Sequence, residues 1–328
     1  MRWNEYSTYI RQFPTPNGII SAAVAGKGPL VILMHGWPEL GFSYRHQIKP
    51  LVEAGFQVAA PDMRGYGGSA KPFDPARYTI DAHADDMAAL ANALGAKRWV
   101  SVGHDWGSPV AWRCALRFPD QVAAVFSFSV PHRLAADISA HEWFDTAYAN
   151  RFYYMRYFET IGPSEMELER DPRDSLKRIF FSLSGDAPLF DWTRERAMDD
   201  TLLNGLTPPP DAPLRFMPDA DLDAYANAFS VGGFHGPLNW YRNWDRNEEQ
   251  ARAYGDQHIR QPAGIMLGDR EIVLSMFPGC IEAQRPLCHD LRIERVVSGA
   301  GHWIQQERPA DATEALLEFL ADVNVHAA

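Results

Sequence analysis

Apolar positions along this chain follow two rhythms that alternate. Pro29-Leu-Val-Ile-Leu-Met34 is a continuous apolar run of strand length, the pattern of a strand covered on both faces. Tyr44 to Ala54 then carries a helical spacing, and Phe56-Gln-Val-Ala-Ala60 reads as the next strand. From Tyr78 to Leu94 apolar residues recur at Ile80, Ala84, Met87, Leu90, Ala91 and Leu94, and Gly95 supplies a stop. A strand at Trp99 to Val102, a helical stretch through Leu116 and Phe118, and a strand at Val122 to Ser129 follow. Ahead of all these, Ser7 to Phe13 and Gly18 to Ala25 read as two strands around a Pro14/Pro16/Asn17/Gly18 turn. Strands alternating with helices imply right-handed crossovers, a mostly parallel central sheet and helices on both of its faces.

The alternation breaks between Leu134 and Asp256. That stretch is rich in helical patterns and aromatics, including Arg151-Phe-Tyr-Tyr-Met-Arg-Tyr-Phe158, and contains the proline-rich Thr207-Pro-Pro-Pro-Asp-Ala-Pro213. It reads as a helical insertion, residues 134–256, in an α/β core of residues 1–133 and 257–328. The α/β rhythm resumes with strands at Ala263 to Leu267 and Leu291 to Val297 and a last helix near Ala310 to Asp322.

Composition narrows the class. Hydrophobic residues at 46% and charged residues at 22% are ordinary for a soluble globular protein. A net charge of −11 argues against nucleic acid or an anionic membrane as partner. Cys114, Cys280 and Cys288 form neither a C-x-x-C nor a metal spacing, and their odd number suits a reducing compartment. With no apolar leader segment and no run of membrane-spanning length, the expectation is a cytoplasmic protein. Whether it is a monomer or a homodimer stays open.

The chemistry centres on Gly103-His-Asp-Trp-Gly107, which sits between an apolar strand and a helix. The spacing is that of the G-x-S-x-G nucleophile elbow with an aspartate, Asp105, in the serine position. A serine attacking a saturated carbon would leave an ether that the protein could not hydrolyse. A carboxylate leaves an ester, which water can cleave. Asp105 also falls at the positive end of the following helix, which favours its ionised, attacking form. Read by itself, the residue is equally an ordinary helix cap.

The later strands add partners. Gly268-Asp269-Arg270-Glu271 follows the strand ending at Leu267, and Gly299-Ala-Gly-His302-Trp303 follows the last strand. A nucleophile, an acid and a histidine, each at the carboxyl end of a strand, is the α/β-hydrolase chain order, and ligands of open parallel sheets bind at that edge. His302 would deprotonate a water that cleaves the ester on Asp105. Backbone N–H groups of Trp106, after the nucleophile, and Trp37, in His35-Gly-Trp-Pro38, are the expected oxyanion hole. Gly65-Tyr-Gly67-Gly-Ser-Ala70 matches a dinucleotide fingerprint formally, but Lys71-Pro72 follows it, so no helix N-terminus opens there. No metal-binding spacing and no cofactor motif is present.

These segments together resemble the α/β-hydrolase-fold epoxide hydrolases: His35-Gly-Trp-Pro, Asp62-Met-Arg-Gly-Tyr-Gly-Gly-Ser, Gly103-His-Asp-Trp-Gly and Gly301-His-Trp. The likeness runs over nearly the whole chain and is loosest between Glu159 and Asp223. It implies an α/β-hydrolase fold with an inserted helical cap, a small-molecule epoxide substrate and a vicinal diol product. Leu238-Asn-Trp-Tyr-Arg-Asn243 looks like the family's second cap segment, which puts a ring-opening tyrosine at Tyr241. Phe152-Tyr-Tyr154 is similar to the first, which puts the other at Tyr154, with Tyr153 and Tyr157 as neighbouring alternatives. A phenol can donate to the alkoxide that forms when an epoxide opens. Trp37, Trp106, Phe152 and Trp303 are the expected pocket walls. The family's usual acid aligns with Glu271 rather than Asp269, which reads as a turn residue bonding nearby N–H groups. Haloalkane dehalogenases share the elbow aspartate, but the cap segments and Trp37 point away from them. A ligand-binding member of the fold without activity is the non-enzyme alternative.

Overall fold

The computed structural model describes residues 9–188 and 191–323. Ser7 and Thr8 of the first expected strand lie outside that range. Among the described residues eight strands form one sheet: β1 (Tyr9–Thr15), β2 (Gly18–Ala25), β3 (Leu30–Met34), β4 (Gln57–Pro61), β5 (Trp99–His104), β6 (Val122–Phe128), β7 (Ile259–Gly268) and β8 (Cys288–Val297). Their order is β1-β2-β4-β3-β5-β6-β7-β8. The β1/β2 and β2/β4 pairs are antiparallel and every other pair is parallel. Strands β7 and β8 start earlier than the apolar pattern predicts. Pro262 lies inside β7, where it cannot donate to the ladder and the register shifts, so the pattern before it does not read as strand.

The continuous apolar strands are central and buried on both faces, and their residues alternate between two cores. Leu30, Ile32 and Met34 of β3 pack on one side, Val31 and Leu33 on the other. The first core also takes α2 (Ile80–Ala93) and α3 (Gly107–Arg117); the second takes α1 (Arg45–Glu53) and the C-terminal helix. Thr79 caps α2 by accepting from the Ala82 N–H at 3.3 Å.

Between β6 and β7 the regular elements are helical: α4 (Ala140–Ala147), α5 (Tyr154–Glu159), α6 (Pro163–Glu169), α7 (Pro172–Ser182), α8 (Asp219–Gly232), α9 (His235–Leu238) and α10 (Trp244–Arg252), with a 3-10 turn at Asn239–Asn243. After β7 come α11 (Ile272–Met276) and α12 (Cys280–Gln284), and after β8 come α13 (Ile304–Glu307) and α14 (Pro309–Asp322). Because β3 to β8 run parallel, their carboxyl ends and the loops that leave them share one edge of the sheet, beneath the insertion. Among the described residues no helix is long and apolar enough to cross a membrane.

Candidate active site

Strand β5 ends on His104 and α3 begins at Gly107, so the chain must reverse in two residues. Asp105 takes the strain with φ of 49°, a left-handed conformation that few side chains adopt. The turn closes because its glycines have no Cβ: one on Gly103 would meet the Gly107 carbonyl oxygen at 2.2 Å, and one on Gly107 the Met34 oxygen at 2.1 Å. Asp105 is thereby lifted clear of strand and helix, next to the loop after β3. There the Trp37 N–H donates to Asp105 Oδ1 at 2.7 Å.

The other oxygen of Asp105 faces the loop after β8. His302 Nε2 stands 3.4 Å from Asp105 Oδ2, and its Nδ1 meets both oxygens of Glu271, at 2.8 and 3.0 Å. Glu271 is fully enclosed and is also the N-cap of α11. Asp269 does not reach the ring. It accepts from the Gly299 N–H at 2.7 Å and the Ser298 hydroxyl at 2.9 Å, holding the histidine loop from outside. Burial pushes the His302 pKa down, but the carboxylates of Glu271 and Asp105 outweigh it and hold the imidazole well above its ordinary value. Burial likewise raises Glu271, and the charge and hydrogen bond of His302 more than reverse that. Carboxylates on both sides of the ring favour its imidazolium form.

A cavity of about 630 Å³ opens over this group, lined among others by Trp37, Asp105, Trp106, Tyr154, Tyr241 and His302. The two phenols come from separate parts of the insertion, Tyr154 from the first turn of α5 and Tyr241 from the 3-10 turn before α10. Their rings lie 6.1 Å apart at 74°. Burial raises both phenol pKa values well above the ordinary range; Tyr241 raises Tyr154 further, and the Asp105 charge adds to both. Both therefore stay protonated and able to donate at neutral pH. Tyr153 faces away, bonding the Met155 sulfur at 3.1 Å and stacking on Tyr148. Tyr157 is absent from the lining too.

Two expected pocket walls are corrected. Phe152 does not line the cavity; its ring lies under the Arg196 guanidinium, 4.1 Å away. The chain is extended at Tyr153 and helical from Tyr154 on, so neighbouring aromatics turn to different sides. Trp303 is also off the cavity and fully buried, with its indole N–H donating to the Phe180 carbonyl at 2.8 Å.

A buried ionic cluster behind the elbow escaped the sequence reading. Glu39 accepts from the Gly36 N–H at 3.1 Å, from His104 Nδ1 at 2.5 Å, and from the amides of Gln305 and Gln306 at 2.9 and 3.0 Å. His104 Nε2 in turn donates to the His302 carbonyl at 2.7 Å. Burial drives the Glu39 pKa up, but His104 and its other partners bring it down to about 2. The cluster joins the loops after β3, β5 and β8, the three that carry Trp37, Asp105 and His302. His104 falls inside the elbow motif and Glu39 directly follows His35-Gly-Trp-Pro38, but nothing in the sequence marks them as a pair. The loop after β4 adds a second brace: Trp240, beside Tyr241, donates its indole N–H to the Arg64 carbonyl at 3.0 Å.

Comparison with known proteins identifies the family. The α/β hydrolase fold family matches residues 29–309. Epoxide hydrolase A of Mycobacterium tuberculosis is 38% identical over 311 residues, 94% of this chain and 94% of that one. An epoxide hydrolase structure from an endophytic Streptomyces superposes with a TM-score of 0.94 at 35% identity, covering 98% of this chain and 97% of the other. Epoxide hydrolase A of Mycobacterium thermoresistibile gives a TM-score of 0.90 at 37% identity, covering 96% and 98%. These matches take in the sheet, the insertion and the loops at the sheet edge alike, and the chain belongs to the epoxide hydrolases of the α/β-hydrolase fold family.

Proposed function

We propose that this protein hydrolyses epoxides to vicinal diols through an alkyl ester on Asp105. The observation that carries the reading is that a carboxylate nucleophile and two protonated phenols line one apolar cavity. Asp105 Oδ2 attacks an epoxide carbon, the carbon–oxygen bond of the ring breaks, and the departing alkoxide takes a proton from Tyr154 or Tyr241. Esterification removes the charge of Asp105, one of the influences that keeps His302 protonated. The histidine then gives up its proton, to the phenolate or to solvent, and becomes a base. Glu271 keeps its Nδ1 side fixed, so Nε2 faces a water that attacks the ester carbonyl. The tetrahedral oxyanion forms at the oxygen that already accepts from the Trp37 N–H, and the Trp106 N–H is the second donor of the hole. Collapse breaks the ester bond to the departing alkoxide, which takes the proton of the newly formed carboxyl group, releasing the diol and restoring the Asp105 carboxylate.

In this reading residues 134–256 form a cap that supplies the phenols, and residues 1–133 with 257–328 form the core that supplies nucleophile, base and acid. The acidic, cysteine-poor chain fits a cytoplasmic enzyme. Assaying styrene oxide and 1-bromobutane side by side tests the class. Diol from the first without bromide from the second is the expected result. Bromide release without diol would make the protein a dehalogenase, and neither product would leave it a binding protein.

A further inference from the structure

One more carboxylate, half-buried, stands behind the histidine loop, and no chemical step uses it. Glu307 closes α13 and turns back toward that loop. Its Oε1 accepts from the N–H groups of Gly301 at 3.2 Å and Trp303 at 3.1 Å, and its Oε2 from Gly301 at 3.2 Å and Gly185 at 2.8 Å. Gly301 and Trp303 flank His302, so a single side chain grips the peptide on both sides of the histidine. Gly185 belongs to the insertion. The same segment accepts the N–H of His302 itself, at the Leu183 carbonyl, 2.8 Å away, and Leu183 lines the cavity. The histidine backbone is thus fastened to the insertion twice, once directly and once through Glu307.

We propose that Glu307 is a positioning residue for His302, tying its loop to the insertion segment 183–185 so that ester hydrolysis depends on it and alkylation does not. The inference rests on the two-step reading above. His302 Nε2 stands 3.4 Å from Asp105 Oδ2, and a water must be held between imidazole and ester carbonyl in line for attack. A misplacement of about 1 Å in such a geometry costs on the order of 100-fold in rate. Asp105 attacks the epoxide without help from the histidine ring, so the first step tolerates the same displacement.

Glu307→Gln is the informative variant. Every acceptor position of Glu307 faces at least two N–H donors, so an amide NH₂ placed at either oxygen confronts donors with a donor. The measurement is rapid-mixing single turnover with styrene oxide, following alkylation and ester hydrolysis as separate rate constants alongside the melting temperature. We expect a hydrolysis rate constant lowered by roughly 10-fold or more, with alkylation within about two-fold of wild type. Lower amplitude or melting temperature with both rate constants unchanged would make Glu307 a structural residue and overturn the proposal, as would an equal fall in both steps. If Glu307→Gln does not fold, Glu307→Asp, which keeps the charge but is one methylene short, offers the same comparison. Recovery of both variants only as unfolded protein would also overturn it. Absence of any ester in the wild type would refute the two-step reading itself, a result separate from either.

Discussion

At the scale of single residues, the site works by setting charges against one another. Asp105 sits in a strained turn and accepts from the Trp37 N–H, and the carboxylates on both sides of His302 raise its pKa well above the ordinary value. Since the folded His302 pKa lies above its ordinary value, folding gains stability from that proton at low pH, and loses it as pH rises through the folded value. Wild type is therefore expected to lose melting temperature between pH 7 and pH 9 more steeply than His302→Gln, in which that group cannot titrate. Parallel profiles would show that the imidazolium is not held as described. The phenols can be separated from the histidine kinetically. Tyr241→Phe removes one donor and almost no volume, so alkylation should slow by roughly 10²-fold or more while ester hydrolysis stays near normal. An unchanged alkylation rate would reduce Tyr241 to a pocket wall. Most of this level was legible in the sequence, because Asp105, Glu271 and His302 each follow a recognisable strand. The aromatic walls were harder. Phe152 and Trp303 adjoin site residues in sequence, but adjacency does not say which way a ring turns, and theirs turn into the insertion.

At the scale of elements, the loops after β3, β5 and β8 have to be held together if Trp37, Asp105 and His302 are to meet. The Glu39 cluster does this with bonds that, the local one from Gly36 apart, span 65 to 267 positions of chain. Such partners leave no local period or spacing, which explains why the strands could be read from the apolar rhythm and the brace between them could not. Glu39→Gln puts an amide among four donors, one of them His104 Nδ1. Removing one partner of a buried pair costs about 3–5 kcal/mol, so urea unfolding should reveal a loss of that order. A loss under 1 kcal/mol would mean that the sheet edge holds these loops without the cluster.

At the scale of the whole molecule, a two-faced parallel sheet provides the rigid edge and the insertion closes over it. Asp105, His302 and Glu271 come from the sheet edge, while Tyr154 and Tyr241 come from the insertion, so the proposed reaction requires the two parts in register. The break in the apolar rhythm at residue 134 and its return at Ala263 were visible in the sequence. What the sequence did not carry was how the insertion is fastened, through Leu183 and Gly185 to the histidine loop and through Trp240 to the loop after β4. The account stands or falls on where the water oxygen goes. A single turnover of styrene oxide in ¹⁸O-labelled water, with enzyme in excess, is the direct measurement. If Asp105 attacks and water then cleaves the ester, the first diol carries an unlabelled oxygen from Asp105, and mass spectrometry finds the label on the peptide containing Asp105. Label in the diol with none on that peptide would mean that water attacks the epoxide directly, and would contradict the covalent account.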